Sequence, residues 1–97
     1  MKTITFRGYV LNLFLEEYVI DGSTSIQLVD SSTGEDYMTA SVYIDGLSFR
    51  EIAIKDYSEN TGILAVLIAE GVVASPHRYV KQGFVNIPVC ELLISNQ

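Results

Sequence analysis

Residues 37–44 alternate without a break. Met38, Ala40, Val42 and Ile44 form one set, and Tyr37, Thr39, Ser41 and Tyr43 form the other. Successive side chains of a β-strand point to opposite faces, so this pattern predicts a half-buried strand with its aliphatic set inward. Asp45-Gly46 closes it with turn residues. A strand of this kind needs partners, and the flanking sequence supplies them. Residues 25–29 carry Ile26 and Leu28 in step, and Asp30-Ser-Ser-Thr-Gly34 is a turn, which predicts an antiparallel hairpin.

Earlier in the chain, Ile4 and Phe6 alternate. Beyond Gly8 the phase changes, and Tyr9, Leu11, Leu13 and Leu15 come into step. A glycine at a phase change marks a bulge or a turn between two strands. Glu16-Glu17 and Asp21-Gly22 end that segment. Residues 49–54 predict a further strand with Ile52 and Ile54 inward, and residues 72–79 read as loop. Residues 84–94 predict a last strand, which Pro88, lacking an N–H, should confine to an edge or interrupt.

A helix is predicted over about residues 58–70. Ser58 has N-cap chemistry, Glu59 suits the positive end of the helix dipole, and Gly71 suits a left-handed C-terminal cap. Gly62 should weaken its first turn. The order of elements predicts an α+β fold: a mostly antiparallel sheet of about five or six strands with one helix packed on one face. At 97 residues the chain is read as a single α+β domain over residues 1–97.

Composition narrows the function classes. Hydrophobic residues make up 48% and charged residues 19%, which favours a folded core over disorder. The net charge of −6 repels phosphates, so nucleic acid is not an expected partner. The longest apolar run, residues 63–69, is far shorter than the roughly 20 residues that span a bilayer. No membrane association is expected, and the N-terminal residues lack a secretory leader pattern, so a cytoplasmic protein is expected. Cys90 is the sole cysteine, which leaves no internal disulfide and no thiolate zinc site.

No catalytic motif is present: there is no nucleophile elbow, P-loop, dinucleotide fingerprint or metalloprotease helix. His77, the only histidine, lies in the loop sequence Ser75-Pro76-His77-Arg78. The acidic pairs Glu16-Glu17 and Glu35-Asp36 lack calcium-loop spacing and read as solvated turns. Neither catalytic residues nor metal ligands nor a cofactor are expected, and the chain is read as a non-enzyme.

Two surfaces stand out. The outward set Tyr37, Thr39, Ser41 and Tyr43 is a candidate partner surface, because tyrosines bring contact area with a polar tip. The helix is apolar all round, and Ala65 and Ala69, four apart, are candidates for self-association.

Several stretches taken in order resemble a family. They are Lys2-Thr-Ile-Thr-Phe6, Ile26-Gln-Leu28, Thr33-Gly-Glu35, Ile54-Lys-Asp-Tyr-Ser-Glu-Asn60, Ile63-Leu64, Gly83-Phe-Val85 and Pro88-Val-Cys90. The chain resembles a small domain-of-unknown-function family of bacterial mobile elements: conjugative elements, plasmids and phages. Thr61 departs from the pattern, standing where a glutamate would complete a capping box. The resemblance implies an accessory protein and supplies no catalytic residues. The leading expectation is a non-enzymatic protein-binding module acting on a host or element protein, with host defence among the targets considered. The alternative is a structural homodimer assembled through the apolar helix or a sheet edge.

Overall fold

The computed structural model describes residues 2–95. The first strand, β1 (Lys2–Phe6), turns directly into β2 (Tyr9–Glu17). The two turn residues Arg7 and Gly8 both have positive φ, 52° and 81°, the geometry whose twist matches antiparallel strands. The phase change at Gly8 is therefore a two-residue hairpin with Phe6 opposite Tyr9. Then come β3 (Thr24–Asp30) and β4 (Asp36–Thr39), and these four strands form an antiparallel sheet in the order β1-β2-β3-β4. The expected hairpin of β3 and β4 is present, with a register shift at Leu28/Val29.

A second antiparallel sheet contains β5 (Glu51–Ala53), β6 (Arg78–Gln82) and β7 (Val85–Glu91) in the order β5-β7-β6. The fold is α+β, with seven strands among the described residues rather than five or six. The sheets meet where β4 ends. Ser41 bridges to Ile54, the Val42 N–H donates to the Ala53 carbonyl, and the Lys55 N–H donates to the Ala40 carbonyl.

Three expectations are corrected by these pairings. The alternation over residues 37–44 does not make one continuous strand: β4 stops at Thr39, and the chain crosses from β3 to the side of β5. Residues 72–79, expected as loop, run at their end into the edge strand β6, whose mostly exposed side chains carry no burial pattern. Pro88 lies in the central strand β7, not at an edge. Its missing donor falls opposite Ile54, just past the end of β5. There the Ile54 N–H still donates to the Pro88 carbonyl, while the Ile54 carbonyl accepts the Asp56 N–H instead. No ladder acceptor is orphaned by the proline.

The helical segment also differs in detail. It divides into a 3-10 turn over Ser58–Asn60 and the helix α1 (Ile63–Ala69). Ser58 is not the N-cap. Gly62 occupies that position in the left-handed region, and the Asp56 carboxylate accepts the N–H groups of Gly62 and Leu64, each at 3.0 Å. Gly62 thus enables the helix start, since φ of 100° is costly for a residue with a Cβ. Gly71 fulfils its expected role. Its N–H donates to Ile68 and that of Val72 to Leu67, the paired bonds of a Schellman cap, with Leu67 and Val72 both buried.

Ile63 and Leu67, four apart, are fully buried on one side of α1. They join Ile4 and Phe6 of β1, Leu11 and Leu13 of β2, Ile26 and Leu28 of β3, and Ile52, Cys90 and Leu92 in the main core. Leu64, Val66 and Ile68 pack partly against the same core. The outer positions of the helix are the exposed Ala65 and Ala69. A smaller cluster of Ile44, Ala53, Ile87 and Val89 fills the space under the crossing segment.

Candidate tyrosine-lined cleft

The crossing of the chain between the sheets opens a cleft of about 500 Å³, lined by Tyr18, Tyr37, Tyr43 and Tyr57 together with Thr39, Ser41, Lys55 and Glu59. These tyrosines are four of the six in the chain. They arrive from four places: just past β2, from β4, from the crossing segment and from the stretch before the 3-10 turn. All four rings are partly buried: Tyr37 packs at the margin of the main core and Tyr57 at that of the smaller cluster, and each keeps part of its surface exposed.

Each ring has a defined setting. Tyr37 packs on Tyr9 with centroids 4.8 Å apart, and Tyr18 meets Tyr43 edge to face at 5.5 Å. The Tyr18 hydroxyl shares a 2.8 Å hydrogen bond with Ser41 Oγ, which also accepts the Ile26 N–H at 3.0 Å. Lys55 Nζ lies 5.9 Å from the Tyr57 ring centre and 3.0 Å from Glu59 Oε2. At the base of the cleft the buried Asn60 side chain donates to the Thr39 carbonyl at 2.8 Å. Arg7 donates to the carbonyls of Glu59 and Thr61 at 2.7 and 2.8 Å, tying the 3-10 turn to the β1–β2 hairpin.

Burial pushes the Tyr18 phenol above the ordinary tyrosine value, with its Ser41 bond opposing the shift. Local desolvation, then the charges of Asp21 and Asp45, push Tyr43 up as well. Both phenols therefore stay protonated at neutral pH and can donate or accept hydrogen bonds.

All four residues of the candidate partner surface line this cleft, but they do not form one flat strand face. Tyr37 and Tyr43 lie on either side of the break after Thr39, and Ser41 is buried rather than outward, engaged by Tyr18 and Ile26. Tyr18 and Tyr57 are not among the surface residues that the sequence singles out. Each lies in an irregular segment, where no periodicity assigns a face. Ala65 and Ala69 are exposed on α1 and take no part in the cleft.

His77 belongs to a different cluster. Its Nε2 lies 2.6 Å from Glu51 Oε2, and Arg78 donates to both carboxylate oxygens at 3.0 and 2.9 Å. The Ser48 N–H adds a further bond at 2.8 Å. Arg78 first, then His77 and Ser48, hold the Glu51 carboxyl well below the ordinary carboxylate range. The cluster connects β5 to β6 across β7, so its geometry fits a clamp between strands. The Cys90 thiol is buried and pushed up to about 11 by desolvation, which keeps it protonated and unreactive.

Among the described residues, no group of three or more potential ligands is placed to hold a metal, and no helix is long and apolar enough to cross a membrane. No protein-family model matches the sequence, and neither a curated protein nor a solved structure matches it.

Proposed function

We propose that the chain is a non-catalytic protein-binding module, an accessory protein of a bacterial mobile element, and that the tyrosine-lined cleft is its contact surface. One observation carries the reading: four partly exposed tyrosines from separate segments converge on one cleft. Tyrosine brings large contact area at low entropic cost and a hydroxyl that can hydrogen-bond a partner's backbone. The cleft volume of about 500 Å³ accommodates a short stretch of extended chain. The sequence resemblance supplies the setting, a host or element protein as partner, with restraint of host defence as one such action.

The test is quantitative capture from bacterial lysate with wild type, Tyr37→Ala and Phe84→Ala. Phe84 is fully exposed and lies outside the cleft. The reading predicts a protein retained by wild type and Phe84→Ala but lost with Tyr37→Ala. Retention by all three sinks it.

A second reading, the homodimer, draws on one feature. The strand β6 is an outer sheet edge, with Tyr79 and the Phe84 hairpin tip exposed. An unpaired edge is a template for another strand. Light scattering that finds only monomer at high concentration removes this reading.

A further inference from the structure

The strand β4 is the outer strand of its sheet, and its residues Tyr37, Met38 and Thr39 line the tyrosine cleft. Just beyond it the chain has a neighbour. Ser41 bridges to Ile54, and the Lys55 N–H donates to the Ala40 carbonyl at 2.9 Å. Past Lys55 that neighbour turns away, and Lys55, Tyr57, Glu59 and Asn60 line the cleft from the departing segment. The cleft is thus a slot beside a strand edge whose partner has left it.

Backbone and side-chain groups in the slot are left to bond. Bonded and unbonded pairs alternate along an antiparallel ladder. The Ala40 N–H donates to the Ile26 carbonyl at 2.9 Å, so the adjacent pair, Gln27 and Thr39, is an unbonded one. Thr39 therefore turns its N–H and carbonyl away from β3. Its carbonyl accepts Asn60 Nδ2 at 2.8 Å, which fixes the orientation of that amide, because only the nitrogen can donate. Asn60 is 1% exposed, and its Oδ1 accepts no hydrogen bond from the described residues. None of the described buried side-chain polar atoms is sealed off without a partner, so this oxygen keeps an opening, and Asn60 lines the cleft. A deep acceptor beside an outward N–H matches the donor and acceptor of an extended backbone. Charge adds no preference, because Lys55 and Glu59 pair at 3.0 Å and cancel.

We infer that an extended segment of the partner protein adds to β4 as a further strand, donating a backbone N–H to Asn60 Oδ1 and accepting the Thr39 N–H. This rests on the cleft being the contact surface and adds the mode of recognition: main chain first, with the tyrosines packing the side chains. The four residues of β4 offer an edge of roughly 13 Å, so about four residues of the partner align with it.

The test is NMR titration of the full chain with the end-capped hexapeptide Ser-Thr-Val-Thr-Val-Ser and with the same peptide N-methylated at its four central residues. The first should shift the backbone amide of Thr39 and the side-chain amide of Asn60. The methylated peptide, stripped of those donors, should bind about tenfold more weakly. Thr39→Pro removes the outward N–H and should weaken the first peptide about fivefold. Thr39→Val loses the same side-chain bond to Gln27 but keeps the N–H, so it should bind as wild type does. Each variant's own spectrum verifies the fold. Equal binding of both peptides in the cleft overturns strand addition but leaves the cleft a binding surface. Shifts confined to β1 or β6, or silence toward both peptides, also overturn it, and lysate capture with Tyr37→Ala then decides the cleft separately.

Discussion

Asp56 controls the start of α1, although it lies six positions before Gly62. Its carboxylate accepts two N–H groups at 3.0 Å, those of Gly62 and Leu64, and Leu64 is partly buried. In Asp56→Ala both donors lose their acceptor. Loss of an N-cap side chain typically costs about 1 kcal/mol and up to about 2, and two bonds with one partly buried donor put this site near the upper figure. For a domain of this size, about 2 kcal/mol corresponds to a Tm lower by roughly 8–16 °C. Asp56→Asn keeps one acceptor oxygen and should recover more than half of the loss. Ser58→Ala should change stability by less than about 0.5 kcal/mol, since Ser58 is exposed and caps no helical N–H. Chemical denaturation and thermal melts measure all three. A Ser58→Ala penalty as large as that of Asp56→Ala would refute the assignment of the cap to Asp56.

Gly62→Ala should cost about 1–2 kcal/mol in the same melts, because φ of 100° strains a residue with a Cβ even though the nearest atom, in Phe6, would be 3.6 Å away. Glu51 adds an acid-sensitive contribution. Its folded-state carboxyl is held below the ordinary 4.5, so this stability is full above that value and is lost as pH falls beneath it. Wild type should therefore lose more stability than Glu51→Gln between neutral pH and the acid side of 4.5, and parallel acid profiles would contradict the clamp. Cys90 should resist thiol reagents in the native protein and react on unfolding, as followed by mass spectrometry across a denaturant series.

Local punctuation was the legible part of the chain. The phase change at Gly8, the turn after Asp30 and the cap at Gly71 each depend on neighbours close in sequence, so each could be read there. Features set by distant pairing were not legible. The strand breaks after Thr39 because residues 40–42 bond to residues 53–55, a partnership that alternation alone does not encode. Pro88 reaches a central strand because Asp56 supplies the missing donor from another segment. The edge strand β6 exposes most of its side chains and so resembles a loop in composition.

The same division runs through the cleft. Tyr37 and Tyr43 were visible as members of an alternating run. Tyr18 and Tyr57 were not, because only the fold brings their irregular segments beside it. Ser41 looked outward by period but is buried, since the break after Thr39 changes the direction of the chain.

Site-specific photo-cross-linking in bacterial cells is the most direct measurement of partner binding. A photoreactive phenylalanine analogue replaces Tyr37 in the cleft or Phe84 at the β6–β7 hairpin tip, one position at a time. The predicted result is a discrete cross-linked protein from position 37 and none from position 84, with the product lost when Tyr43→Ala is added. Cross-links from position 84 alone, or an unchanged product from position 37 in the Tyr43→Ala background, would contradict the cleft as the contact surface.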